Sequence, residues 1–95
     1  MAIEEAPFTS AVISSHAQEE MARRGISDRD VRRVLDEPGT WEAVRPGRVV
    51  LTALGIDAIS GKDQVLRVFV DIDREPPVVV TAYRSSKIRK YWSAR

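Results

Sequence analysis

The chain has 95 residues, 43% of them hydrophobic, and a formal net charge of +1 at neutral pH. This length is enough for one domain with one hydrophobic core and too short for two. The sequence contains no cysteine, which excludes disulfides, thiolate metal sites and cysteine nucleophiles. It has no apolar run of membrane-spanning length, and its acidic first residues are unlike a secretion signal, so we expect a cytoplasmic protein that does not contact membranes.

Two short helices are predicted in the first half of the chain. A capping-box spacing between Ser15 and Gln18 predicts a helix over residues 16–24. Ser27 is the predicted N-cap of a second helix, which stops before Pro38. Apolar residues recur at helical spacing in both segments, so we expect one side of each helix to be buried.

Beyond Pro38 the hydrophobic period changes to two. This pattern predicts four strands, over residues 41–44, 48–54, 65–72 and 78–83, whose short connections favour an antiparallel meander. A further short strand is expected near residues 8–13, in an N-terminal extension over residues 1–13 that precedes a single domain over residues 14–95. We therefore predict an α+β fold. Two N-terminal helices should pack on one face of a roughly four-stranded antiparallel sheet, with a short basic helix at the C-terminus.

Alternation along the strands assigns side chains to the two faces of this sheet. The face under the helices is predicted to carry Val49, Leu51, Ala53, Leu66, Val68, Val70, Val78, Val80 and Ala82. The opposite, open face is predicted to carry Arg48, Thr52, Arg67, Phe69, Asp71, Thr81 and Tyr83. Such a face either binds a ligand or is the wet side of a half-exposed sheet, where Thr, Tyr and Arg are common.

The C-terminal segment concentrates positive charge. From Arg84 onward it has five cations and no acid, with aromatic residues among them. A basic segment of this kind can bind phosphates while its rings stack on bases. The candidate RNA-binding residues are Tyr83, Arg84, Lys87, Arg89 and Lys90. The alternative is a solvated helix end favoured by the helix dipole, and Trp92 either stacks a base or packs that helix onto the domain.

Four short motifs carry a resemblance to a known family. They are Ser14-x-His16-Ala17, Arg24-Gly25-Ile26, Thr81-x-Tyr83 and Ser86-Lys87-Ile88-x-Lys90-Tyr91. With them the chain resembles a small prokaryotic domain family of unknown function. That domain is more distantly similar to the RelE and BrnT toxins of bacterial toxin–antitoxin pairs. The resemblance implies a RelE-like fold, metal-free RNA cleavage and a cognate antitoxin. One departure is Glu20, where the family often has a basic residue.

Metal-free cleavage of RNA uses the ribose 2′-OH as an internal nucleophile, which requires a base, an acid and cations near the phosphate. His16, the only histidine, is the candidate base, unless it merely braces its helix. Arg48 and Arg67 are the candidate electrostatic catalysts, and we expect them to converge on one phosphate with Arg84 and Lys87. Tyr91 is the candidate acid, provided that nearby cations lower its pKa.

Other chemistries find little support in the sequence. Asp71 and Asp73 could be metal ligands, but the chain has no second histidine to complete such a site, so we expect no metal and no cofactor. The preferred hypothesis is a toxin-type, metal-independent endoribonuclease that binds RNA and is inhibited by an antitoxin protein. The alternative is a non-catalytic module of the same fold that binds nucleic acid or protein. The sequence is also compatible with a homodimer.

Overall fold

The computed structural model describes residues 8–56 and 60–91. Along these residues the order is β1, α1, α2, β2, β3, β4, β5 and α3. Their bounds are β1 Val12–Ile13, α1 Ser15–Arg24, α2 Asp28–Asp36, β2 Thr40–Arg45, β3 Arg48–Ile56, β4 Asp63–Asp71, β5 Val78–Ser85 and α3 Ile88–Tyr91. None of the described helices is long and apolar enough to cross a membrane.

Local sequence signals explain where the two main helices begin and end. α1 is capped by Ser14, whose side chain accepts a hydrogen bond from the Ala17 N–H at 3.1 Å, so the cap lies one residue before the predicted Ser15. Gly25 ends α1 in the left-handed conformation, with φ of 68°. Ser27 caps α2 as predicted and accepts a hydrogen bond from the Asp30 N–H.

The five strands form one open sheet in the order β1-β5-β4-β3-β2. The last four strands pair antiparallel as a meander, as the short connections predicted. β1 pairs in parallel with β5 and lies within the segment where a fifth short strand was expected. The predicted α+β fold, with two helices before the meander and a short helix at the end, is therefore confirmed.

The hydrophobic core lies between the sheet and the first two helices. It contains Phe8, Ala11, Ala17, Met21, Ile26, Val31, Val34, Leu35, Val49, Leu51, Val68, Val70, Val79 and Ala82. Val79 is fully buried, whereas Val78 and Val80, which the alternation assigned to the core, are only half-buried. The assignment of these two valines was wrong because a β-bulge at Val80 shifts the register of β5 against β4.

α1 covers the edge of β5 beyond the two-residue strand β1. The Arg24 guanidinium donates to the Ala82 carbonyl at 2.7 Å, which satisfies a backbone acceptor at this edge. A second contact joins the same two elements: the Arg84 guanidinium donates to the carbonyl of Arg24 near the end of α1. Thr81 was expected on the open face, but its hydroxyl donates to Glu20 of α1 at 2.5 Å. α1 and β5 are therefore joined by polar contacts as well as by the core.

Candidate functional site on the open face of the sheet

The site is built around Arg67, in the middle of β4 on the face away from the helices. Its side chain is only 13% exposed. Nε lies 3.3 Å from the Thr52 hydroxyl, and Nη1 donates to the Tyr83 hydroxyl at 2.8 Å. Because Thr52 and Tyr83 are the direct partners of Arg67 on the neighbouring strands, the sheet register itself sets these contacts.

Three aromatic rings surround the Arg67 guanidinium. Its Cζ lies 4.2 Å from the centroid of the Tyr91 ring, within the range of a cation–π interaction. The centroids of the Phe69 and Tyr83 rings are farther away, at 5.7 and 5.8 Å. The Tyr83 ring also meets the Tyr91 ring edge-on, with centroids 6.3 Å apart. We call Arg67, Phe69, Tyr83 and Tyr91 the aromatic cluster. It holds α3 against the open face.

The Tyr91 hydroxyl has an environment suited to proton transfer. Hydrogen bonding from the Tyr83 side chain is the largest cause that lowers the pKa of Tyr91 from its ordinary value of 10.0. The neighbouring Lys90 and the charge of Arg67 lower this pKa further, while partial burial opposes them. The ammonium of Lys90 lies 5.3 Å from the Tyr91 ring centroid. A tyrosine with a lowered pKa gives up its proton more readily when it is neutral. It is also ionised more often, and the ionised form can act as a base.

The other described cations of the C-terminal segment lie in two places. Lys87, Arg89 and Lys90 are exposed in or just before α3, beside the aromatic cluster. Arg84 lies elsewhere, because it pairs with Leu66 on the helix side of the sheet and contacts the end of α1. It was expected to converge with Arg67 on one phosphate, and the structure does not bring the two together. Trp92 lies outside the described residues.

Arg48, the other candidate electrostatic catalyst, is engaged by Asp71. Its Nε and Nη2 donate to the two carboxylate oxygens at 2.6 and 3.1 Å, in the bidentate geometry of a strong ion pair. This hydrogen bonding lowers the pKa of the buried Asp71 and raises that of Arg48, although burial opposes both shifts. Arg48 therefore has an internal counterion, which competes with any phosphate.

His16 lies in a different group of side chains, at the start of α1. Its Nε2 is 3.2 Å from one carboxylate oxygen of Glu20, and its side chain is 71% exposed. The other Glu20 oxygen accepts from Thr81 and lies 3.5 Å from Arg24. The bond from Thr81 is the main cause that lowers the pKa of Glu20, helped by the charges of His16, Arg24 and Arg23. Among the described residues, no hydrogen bond, ion pair or ring contact joins His16 to the aromatic cluster.

The sequence reasoning missed two carboxylates. Glu20, noted only as a departure from the family, is the residue that joins His16 to Thr81. Glu42 of β2 is 75% exposed and has a carboxylate oxygen 4.0 Å from Nη2 of Arg67. Strand alternation could have found Glu42, because its partner Val50 and the next partner Phe69 place it on the open face.

Comparison with known proteins agrees with the family resemblance. The family described as "Domain of unknown function (DUF4258)" matches residues 13–84, which is most of the chain. No curated protein matches the chain significantly, and neither does any solved structure. The matched range runs from the last residue of β1 into β5 and includes α1, α2 and three members of the aromatic cluster, whereas α3 with Tyr91 lies beyond it. The chain therefore belongs to this family, the domain of unknown function DUF4258.

Proposed function

We propose that the protein is a metal-independent endoribonuclease of the toxin type, acting on RNA at the open face of the sheet. One observation carries the proposal: Tyr91, with its lowered pKa, lies on the Arg67 guanidinium directly beside Lys90. Cleavage through the ribose 2′-OH requires proton transfer and cations near the phosphate, which the phenol and the cations can supply, and the aromatic rings can stack a base of the substrate.

The division of roles follows from which side chains are free. Lys87, Arg89 and Lys90 are exposed and bind RNA phosphates. Arg67 is held by Thr52 and Tyr83, so it acts through its charge near the reacting phosphate and through its support of Tyr91. Tyr91 transfers the proton in cleavage, and its ring and that of Tyr83 offer surfaces on which a base stacks.

The toxin part of the proposal concerns the partner. The resemblance to RelE and BrnT toxins implies an antitoxin protein, and the exposed basic segment beside the aromatic cluster is the surface that such an inhibitor would need to cover. A protein of this kind would act in the cytoplasm, where its RNA substrates are.

The position of His16 favours a second candidate function, a non-catalytic module that binds nucleic acid. The expected base is paired with Glu20 in a group of its own, away from Tyr91. A binding module would use the same cations and rings but would leave RNA intact.

The test is an RNA cleavage assay in the presence of EDTA, with the wild type, Tyr91→Phe and His16→Ala. A ribonuclease of the proposed kind leaves 2′,3′-cyclic phosphate and 5′-hydroxyl ends. We expect Tyr91→Phe to lose on the order of 10²- to 10⁴-fold in cleavage rate, the usual contribution of a general acid–base group, and to retain RNA affinity. His16→Ala should retain most activity, because His16 is not part of the cluster.

Three other outcomes have defined meanings. If the wild type binds RNA and leaves it intact, the binding module is the correct function. Loss of cleavage in a folded His16→Ala protein, with full activity in Tyr91→Phe, would move the active site to α1. An absolute requirement for added metal would overturn the proposed mechanism.

A further inference from the structure

We infer that the protein forms a symmetric dimer in which the outer edge of β2 pairs antiparallel with β2 of a second copy. In this pairing Glu42 of each copy lies opposite Arg45 of the partner subunit. The inference goes beyond the proposed function and does not depend on it.

β2 is the last strand on its side of the sheet, and it is exposed along its whole length. Among the described strands, β3 alone pairs with it, and all six of its residues are exposed. Its outward N–H and C=O groups are therefore available to a further strand. Trp41 and Val44 add apolar surface to this edge, because they are 59% and 49% exposed. A partner strand would remove part of this apolar surface from water.

A bulge in β2 brings opposite charges to the same face. In a regular strand, residues three positions apart point to opposite faces of the sheet. Here the register shifts between Ala43 and Arg45, and Arg45 then pairs with Arg48 on the open face. Glu42 is on that face as well, because its carboxylate lies 4.0 Å from Nη2 of Arg67. The bulge thus gives the open face of β2 one acid and one base, with two residues between them.

The order of these charges makes β2 complementary to a second copy of itself. An antiparallel partner runs in reverse, so a two-fold axis between Ala43 and Val44 places Glu42 opposite Arg45 of the partner subunit. The same axis places Arg45 opposite Glu42 of the partner subunit. Directly opposite side chains have Cβ atoms about 5 Å apart, a distance that glutamate and arginine can bridge. Both side chains are already exposed, so neither has to be uncovered before the copies associate.

The length of the pairing is also defined. The axis places Trp41 opposite Pro46 of the partner subunit, at the turn that follows β2. Proline has no backbone N–H, so the ladder cannot extend through this position. The paired segment is therefore short, and we expect the two charge pairs near its centre to have a large effect on its stability.

The dimer would bring both open faces to one side. Glu42 and Arg45 can meet across the axis only if the axis is perpendicular to the sheet. The result is a sheet of ten strands, five from each copy. Arg67 lies in β4, so five strand spacings of about 4.8 Å place the two aromatic clusters about 24 Å apart. The exposed cations beside both clusters then lie on the same side of the dimer.

Charge reversal tests this pairing directly. Glu42→Arg places two arginines opposite each other in both charge pairs, and Arg45→Glu places two glutamates there. Like charges directly opposite destabilise an antiparallel pair, so each variant alone should dimerise at least about 10-fold more weakly than the wild type. An equimolar mixture of the two variants should recover association, because every arginine then lies opposite a glutamate. Sedimentation equilibrium gives the dissociation constants.

Two charge reversals on the helices are matched controls. Glu19→Arg on α1 and Arg29→Glu on α2 make the same changes of charge at exposed positions outside β2. Each should dimerise as the wild type does. A chain that carries both Glu42→Arg and Arg45→Glu restores opposite charges and should also dimerise as the wild type does. Its association shows that the two reversals leave the fold intact.

A wild type that stays monomeric at the highest concentration reached would overturn the inference and leave the β2 edge to a different protein. Full dimerisation of Glu42→Arg and of Arg45→Glu, each alone, would place the interface elsewhere. If both variants were weakened and their mixture did not associate, the pairing of Glu42 with Arg45 would be wrong. These results do not depend on whether the protein cleaves RNA, so a failure of the proposed function is distinguishable from a failure of the dimer.

Discussion

Arg48 and Asp71 face each other across β3 and β4, where two charged hydrogen bonds join the guanidinium to a carboxylate whose side chain is 8% exposed. Removing Arg48 leaves that buried carboxylate without these two hydrogen bonds. We expect Arg48→Ala to lower the free energy of unfolding by about 2 kcal/mol, as measured by urea denaturation at neutral pH. A loss no greater than that of Arg45→Ala, an exposed arginine on β2, would contradict this prediction.

The same pair predicts a pH dependence. The pKa of Asp71 is lowered in the folded protein, so its stabilising effect is complete above the unfolded value of about 3.9 and is lost as the pH falls through the folded value. Arg48 stays protonated throughout this range. Asp71→Asn should therefore flatten the loss of stability in acid, as thermal melts between about pH 2 and pH 5 would show. A variant that loses stability in acid as steeply as the wild type would exclude Asp71 as the cause.

The exposed cations near α3 should govern the salt dependence of RNA binding. Replacing Lys87 and Arg89 with Ala keeps Lys90 beside Tyr91 and removes two phosphate contacts. The slope of log affinity against log salt should then fall by about 1.4 units for single-stranded RNA, at about 0.7 per contact. Affinities of a short RNA over a salt series give this slope.

Two controls show whether that effect is local. Arg29→Ala with Arg33→Ala removes the same charge from exposed positions on α2 and should leave the slope unchanged. Arg84→Ala should also leave it unchanged, because Arg84 contacts α1 instead of the open face. Equal losses of slope from both double variants would show that the protein binds RNA through its overall charge.

The bulge in β5 can be tested with two adjacent valines. Val79 is fully buried in the core and Val80 is half-buried, although strict alternation predicts the reverse order. Val79→Ala should lower the free energy of unfolding by about 2 kcal/mol, and Val80→Ala by less than about 1 kcal/mol. Denaturant titration of both variants decides between the two registers, and a larger loss from Val80→Ala would contradict the bulge.

The junction between α1 and α2 depends on Gly25. Its φ of 68° strains any residue with a Cβ, and an added Cβ would lie 3.2 Å from Nη2 of Arg84. We expect Gly25→Ala to cost about 1 kcal/mol or more in thermal or chemical unfolding. Gly55→Ala is the control, because nothing lies within 4 Å of the added carbon and the backbone is ordinary strand. Similar losses at the two positions would argue against a special role for Gly25.

Much of the fold could be predicted from local signals. Ser27 and Gly25 mark helix boundaries through their own backbone and side-chain chemistry, and the period of two beyond Pro38 predicts the strands. The bulge at Val80 could not be predicted, since an extra residue in one strand leaves no mark in a run of three valines. The α1 cap was predicted one residue too late, at Ser15, because Ser14 and Ser15 are adjacent and either can cap a helix.

The candidate site was predictable only in part. Alternation placed Arg67 and Tyr83 on the open face, and their direct pairing follows once the register is known. Whether a cation is free depends on its tertiary partner, and Asp71 for Arg48 or the Arg24 carbonyl for Arg84 becomes evident only in three dimensions. The separation of His16 from Tyr91 has the same origin, because it depends on how α1 packs against β5.

The unequal edges of the sheet limit how copies of the protein can associate. At one edge β1 is only two residues long and Arg24 occupies the Ala82 carbonyl, whereas all six residues of β2 at the other edge are exposed. Among the described strands, β2 alone offers an extended template to a strand from another molecule. If two copies paired there about a two-fold axis, the exposed β2 edge of each copy would be hydrogen-bonded to that of the other. Strand pairing would then stop at a closed pair and would not continue into a fibril.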